Sequence, residues 1–166
     1  MNHSRKIIRI AAYDYSTPGA YYVTIRVKNS DIALVSPEDG CLTSAGAVVQ
    51  SVWSDLPTHY SNVECDEFVV MSDHVHCIIV LKDDGAGFKP APTAMRRHGL
   101  PEIVRGFKTF SSRKINDARG VRSPVWQRNY YERVIRNERE LNAVRGYIHN
   151  NSLVAQLKQR SGHHEW

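Results

Sequence analysis

The chain is poor in the residues that staple small secreted folds. Its three cysteines, Cys41, Cys65 and Cys77, are odd in number and lack Cys-x-x-Cys spacing, which argues against a disulfide framework or a zinc knuckle. No apolar run approaches the ~18 residues needed to cross a bilayer, and no apolar signal sequence follows Met1-Asn2-His3-Ser4-Arg5-Lys6. A cytoplasmic protein with reduced thiols is expected. Internal repeats are absent too, so the 166 residues are read as one domain, 1–166, with a 42% hydrophobic and 23% charged composition ordinary for a globular chain.

Acidic residues are scarce in the C-terminal part. Residues 1–95 hold 7 Lys/Arg and 11 Asp/Glu, whereas residues 96–166 hold 15 and 6. The net charge of +5 is therefore a −4 half joined to a +9 half. Concentrated positive charge suggests an anionic partner, and phosphate backbones are the usual one.

What is present organises around Phe68 to Leu81, where His74-Val75-His76 opens an apolar, β-branched run. Alternation along a strand sends both imidazoles to one face, about 7 Å apart at the backbone, while Val75 points to the other. Two imidazoles so placed can close on one ion. Val63–Met71 and His74–Leu81 read as two strands of a tight antiparallel hairpin around Ser72-Asp73.

Upstream, a turn-rich arm (residues 1–19, with Tyr13-Asp14-Tyr15) leads into a strand at Tyr21–Lys28, where Tyr21, Val23, Ile25 and Val27 alternate with Tyr22, Thr24, Arg26 and Lys28. Short strands are expected at Ile32–Val35 and around Cys41-Leu42-Thr43, flanking the turn at residues 36–40. Val48, Val49, Val52, Trp53 and Leu56 predict a first helix capped by Thr43 or Ser44, with Pro57 near its end.

Residues 82–99 are rich in Gly and Pro and predict a flexible surface loop. The next helix, Leu100–Asn116, carries Leu100, Ile103, Val104, Phe107, Phe110 and Ile115 on one side and Arg105, Lys108, Ser112 and Arg113 on the other. After Ser123-Pro124 comes Val125-Trp126-Gln127-Arg128-Asn129-Tyr130-Tyr131-Glu132. Asn137 and Glu140 have capping-box spacing for a last helix from Glu138 to about Ser152, with a stripe of Leu141, Val144 and Ile148. Tyr147 and Asn151 share one edge of it. Residues 153–166 are expected to form a tail.

The His-Val-His strand, the run Leu100-Pro101-Glu102-Ile103-Val104-Arg105-Gly106-Phe107-Lys108-Thr109-Phe110-Ser111, the run Val125 to Glu132, and Arg145-Gly146-Tyr147-Ile148-His149-Asn150-Asn151 together resemble the REP-associated tyrosine transposases. These are IS200-like members of the single-tyrosine branch of the HUH nucleases. Two departures stand out: Met71-Ser72-Asp73 replaces the usual Met-Pro-Asn, and Asn151-Ser152 stands where Asn-Pro is common.

The resemblance implies an α+β, ferredoxin-like or RRM-like HUH nuclease fold, an antiparallel β-sheet with helices packed on one side. It implies a metal-dependent single-stranded DNA endonuclease and strand transferase, a transposase that cleaves near DNA hairpins through a 5′-phosphotyrosine intermediate. Tyr147 would be the nucleophile, with Tyr130 and Tyr131 as rivals. His74, His76 and Asn151 would hold a divalent ion, Mn²⁺ or Mg²⁺. Arg105, Lys108, Arg113, Trp126, Gln127, Arg128, Tyr130 and Tyr131 would contact single-stranded or hairpin DNA, in a monomer or homodimer associated with the bacterial nucleoid. The alternative is a non-catalytic nucleic-acid-binding domain that retains the fold and the basic face.

Overall fold

Strand β1, Gly19–Arg26, lies inside the sheet because its alternate residues are apolar: Tyr21, Val23 and Ile25 are 0–1% exposed, as the alternation predicts. The structure, a computed structural model, describes residues 10–83 and 97–161, with side chains as far as 152. The parts of the expected arm, loop and tail at 1–9, 84–96 and 162–166 lie outside the described residues. Helix α1 (Ser44–His59), strands β2 (Val63–Val70) and β3 (His74–Leu81), helix α2 (Leu100–Arg119), strand β4 (Tyr131–Ile135) and helix α3 (Glu138–Ser161) follow in order. The sheet order is β2-β3-β1-β4, antiparallel throughout.

The β2–β3 hairpin forms as expected. The Met71 N–H donates to the His74 carbonyl at 2.8 Å, leaving Ser72 and Asp73 as the two-residue turn. In register, Thr24 of β1 stands opposite His76 and Arg26 opposite His74. The outward residues of the two central strands therefore share one face of the sheet.

Helices α1 and α2 cover the other face, burying Val49, Val52, Leu56, Ile103, Val104 and Phe107 against Val23, Ile25, Cys77 and Ile79. This is the antiparallel α+β architecture expected, but the helices are not all on one side: α3 packs on the opposite face through Ile148. Thr43 caps α1 by accepting from the Gly46 N–H at 3.1 Å, and Gly120, left-handed at φ 64°, ends α2 three residues beyond the expected stop. Helix α3 lies across the histidine-bearing face, where Ile148 (1% exposed) packs in a second cluster with Val69, Ile78 and Ile135. A bidentate pair ties it down: Arg145 Nε and Nη2 both donate to Asp66 Oδ2, at 2.9 and 2.7 Å.

Three local expectations need correction. The strands expected at 32–35 and 41–43 shrink to a single bridge, Val35 to Leu42. Their backbone is engaged elsewhere: the Leu34 N–H donates to the Ser72 carbonyl, so the segment props the β2–β3 turn. Residues 131–135, left unassigned from the sequence, form edge strand β4. Helix α3 continues to Ser161 instead of stopping near Ser152, where Ser stands in place of a helix-ending proline.

Candidate functional site

β-Sheet periodicity brings His74 and His76 side by side, and their ring tilt (77°) turns both Nε2 atoms inward to 3.0 Å. The far nitrogen of each ring is held by the protein. His74 Nδ1–H donates to Asp73 Oδ1 at 2.6 Å, and His76 Nδ1 lies 2.8 Å from the Tyr22 hydroxyl and 2.9 Å from Thr24 Oγ1. Each imidazole is thus oriented by a neighbour so that its Nε2 faces the common point.

The electrostatics keep His76 in its neutral, lone-pair-bearing form. His76 is 7% exposed, and burial, reinforced by His74 and Arg26, pushes its pKa down to about 4. The hydrogen bond from His74 holds the Asp73 carboxyl below its ordinary range, so it stays an acceptor. Burial raises the Tyr22 phenol, which therefore stays a protonated hydroxyl.

Tyr147 projects from α3 onto this pair, its ring 5.5 Å from His76 and 6.5 Å from Tyr22. It is 52% exposed, so the phenol is open to a substrate while the ring edge is packed. All of these residues belong to one chain. Asn151, one helical turn on, is half-buried, and its Nδ2 is enclosed without a hydrogen-bond partner among the described residues. No described contact joins Asn151 to either histidine.

Tyr131 flanks the site, 37% exposed and 6.0 Å from the Tyr22 ring. Tyr130 instead packs against the core and lines a groove shared with α2. The metal question rests on the donor set. Among the described residues no three His, Cys, Asp or Glu side chains gather to hold an ion. Two imidazoles remain, with the Asn151 amide one helical turn beyond Tyr147, and Nε2 atoms 3.0 Å apart match adjacent donors on an octahedron with bonds of about 2.1 Å. The residues fit a divalent ion with open positions.

The expected DNA contacts divide in two. Arg105, Arg113, Gln127 and Arg128 are exposed along a groove of about 1010 Å³ between α2 and residues 122–130. Trp126 is 5% exposed, its ring tilted 38° against Phe107 at 5.8 Å, and its Nε1–H donates to Ser111 Oγ at 2.8 Å. The expected DNA contact of Trp126 is corrected: the ring is enclosed and has no open face for a base. Lys108 is also committed, its ammonium donating to the carbonyls of Gln127 and Arg128 at 2.7 and 2.9 Å. It shapes the groove from within.

Sequence reasoning missed Tyr22 and Thr24. Their outward position was readable from the alternation, but the pairing that sets them against His76 was not. Asp73 was singled out as a departure from a family pattern; its bond to His74 gives that carboxylate a place beside the site.

No family model matches the chain. An uncharacterized protein of Haemophilus influenzae is 33% identical over 171 residues, spanning 95% of this chain and 93% of that protein. Among solved structures, a REP-associated tyrosine transposase bound to a REP hairpin superposes with a TM-score of 0.58 at 19% identity, over 87% of this chain and 72% of the other. A candidate transposase from Deinococcus radiodurans gives 0.49 at 20% identity, over 86% and 95%. The chain belongs to one family with the Haemophilus influenzae protein, and its fold is that of the IS200-like, REP-associated tyrosine transposases.

Proposed function

We propose that this protein is a metal-dependent single-stranded DNA endonuclease and strand transferase of the transposase type, cutting beside DNA hairpins through a 5′-phosphotyrosine. The observation that carries the reading is the convergence of two Nε2 atoms, 3.0 Å apart, with the Tyr147 ring 5.5 Å from one of them, inside one chain. The fold's likeness to a transposase bound to a REP hairpin supports hairpin DNA as the partner.

His74, His76 and the Asn151 amide would hold the ion, and mixed nitrogen and oxygen donors suit Mn²⁺, with Mg²⁺ favoured by abundance. A divalent ion there supplies positive charge that polarises the scissile phosphate. Asp73, Tyr22 and Thr24 keep the imidazoles aimed. The Tyr147 oxygen attacks phosphorus, losing its proton, as the bond to the 3′ oxygen breaks and that oxygen takes up a proton. The products are a 5′-phosphotyrosine and a free 3′-hydroxyl. Reversal on a second 3′-hydroxyl rejoins the strand, and the covalent link conserves the bond energy, so no nucleotide cofactor is needed. Tyr147 lying against its own chain's His76 supports an active site assembled within one protomer.

The test is covalent capture of a labelled hairpin with a single-stranded flank, resolved on a denaturing gel with and without Mn²⁺. A shifted band that needs Mn²⁺ and disappears in Tyr147→Phe is the expected result. Binding that ignores the metal and leaves no adduct would instead identify a non-catalytic DNA-binding domain, and an adduct surviving in Tyr147→Phe would move the nucleophile to Tyr22, Tyr130 or Tyr131.

A further inference from the structure

Helix α3 carries the Tyr147 phenol, so whatever fixes the rotation of α3 about its own axis also fixes where that phenol points. Leu141, Val144 and Ile148 rest on Val69, Ile78 and Ile135. Apolar burial of this kind is non-directional: it holds the helix down and does little to set its roll. At about 100° per residue, Arg145 stands roughly 60° to one side of Ile148 and Tyr147 roughly 100° to the other. The two residues form opposite edges of the buried stripe.

Arg145 is the edge with a directional contact. Its Nε donates to the two Asp66 carboxylate oxygens at 3.2 and 2.9 Å, and its Nη2 donates to Oδ2 at 2.7 Å. A planar guanidinium facing a carboxylate tolerates little rotation. The Asp66 side chain is only 15% exposed, which withdraws the pair partly from water. The Arg133–Glu140 pair and the Asn137 cap, by contrast, hold the start of the helix, two turns away from Tyr147.

Strand β2 is deformed where it presents this carboxylate. Cys65 pairs with Ile79 and Phe68 with Cys77, so Asp66 and Glu67 together stand opposite Ile78. Two residues against one make a β-bulge. In an unbroken strand, residues three apart face opposite sides of the sheet. The bulge instead lets Cys65 and Phe68 both pack into the core under α1 and α2, with Phe68 stacked on Trp53 at 4.7 Å. Asp66 is left on the α3 side, where it meets Arg145. Re-aiming one side chain beside a site is a common use of such bulges.

We infer that the Asp66–Arg145 pair, mounted on the β2 bulge, sets the roll of α3 and so aims the Tyr147 hydroxyl. Both are positioning residues, acting through the helix. A roll of about 10° carries a group ~6 Å from the helix axis by about 1 Å. A misplacement of that size costs on the order of a hundredfold in rate. The inference rests on the proposed function for what Tyr147 does, and adds to it what points the phenol.

The experiment compares Asp66→Asn and Arg145→Met with Lys114→Met, a control that removes the Lys114–Asp55 pair between α1 and α2 on the other side of the sheet. The first readout needs neither metal nor DNA: the nuclear Overhauser effect between the Tyr147 and His76 rings, whose centroids are 5.5 Å apart. It should be present in wild type and the control, and weaken or vanish in the other two variants. The second readout is the single-turnover rate of adduct formation at saturating hairpin and Mn²⁺. It should fall at least about tenfold in both variants, while the hairpin Kd stays within about twofold. Because Asp66→Asn keeps the Arg145 cation, a Kd raised in Arg145→Met alone, with Asp66→Asn reacting normally, would make Arg145 a DNA contact and overturn the inference. A slow rate with the ring contact intact, or an equal loss in the control, would overturn it as well. Asparagine is isosteric with aspartate, and chemical-shift dispersion in the same spectra verifies that each variant is folded. If wild type forms no adduct, the catalytic reading fails and the ring contact still decides whether the pair aims Tyr147.

Discussion

The Tyr22 hydroxyl lies 2.8 Å from His76 Nδ1, on the opposite edge of the imidazole from His74. Thr24 Oγ1 supplies a second contact at 2.9 Å to the same nitrogen. A hydroxyl can donate or accept, so either His76 tautomer is satisfied, including the one that frees Nε2 for an ion. Losing both hydroxyls leaves the ring unaimed. Y22F alone is expected to weaken Mn²⁺ binding about threefold because Thr24 remains, and Y22F/T24V by roughly 10–100-fold, the usual range for an outer-shell partner. Calorimetric titration of Mn²⁺ into the DNA-free protein reads this directly, and a double variant with wild-type affinity would deny the hydroxyls a positioning role.

Asp73 does the same for His74 by a stronger route, since a carboxylate accepting an imidazole N–H raises the basicity of the other nitrogen. Asp73→Asn keeps the shape and loses the charge. Mn²⁺ affinity is expected to fall about tenfold, with adduct formation recovering at saturating Mn²⁺. Failure to recover at high metal would mean that Asp73 acts on the DNA or the turn and not on the ligand.

Burial of His76 has a consequence for stability. Its folded pKa of about 4 lies below the ordinary 6.5, so between those values the unfolded chain binds more protons than the folded one. Its contribution is full above pH 6.5, declines as the pH falls, and is lost near pH 4, with an upper bound of roughly 3 kcal/mol. Thermal melts from pH 7.5 to 4.5 should show the midpoint falling most steeply below 6.5. His76→Asn, which cannot titrate, should flatten that decline; an unchanged profile would assign the pH dependence to other groups.

Much of this arrangement was legible in the chain because single-element signals are strong where one face is apolar. The alternation of Tyr21, Val23, Ile25 and Val27 and the stripe Leu100, Ile103, Val104, Phe107 and Ile115 each describe a buried surface, and each is buried. Strand β4 escaped because Tyr131-Glu132-Arg133 breaks the apolar alternation: Glu132 is 3% exposed and shares the inner face of β4 with Val134. Trp126 reads as a DNA contact for the opposite reason, since arginine and tyrosine neighbours say nothing about Ser111, fifteen residues earlier in α2, accepting its N–H. Contacts between elements, Tyr22 with His76 above all, depend on register, which no local pattern carries.

Gly106 offers a test in which two effects oppose. In mid-helix, glycine costs about 1 kcal/mol relative to alanine, so propensity alone makes Gly106→Ala stabilising. A Cβ at this position, however, would run into the Tyr60 hydroxyl and press on its ring, and Tyr60 is 9% exposed at the junction of α1 and α2. Overpacking of this kind costs typically 1–3 kcal/mol, which exceeds the gain. Chemical denaturation should find Gly106→Ala less stable by up to about 2 kcal/mol, with Tyr60→Phe restoring part of the loss in the double variant because the first atom struck is the hydroxyl oxygen. A stabilised Gly106→Ala would show that Tyr60 can swing aside and that α1 and α2 are held together by the surrounding apolar contacts alone.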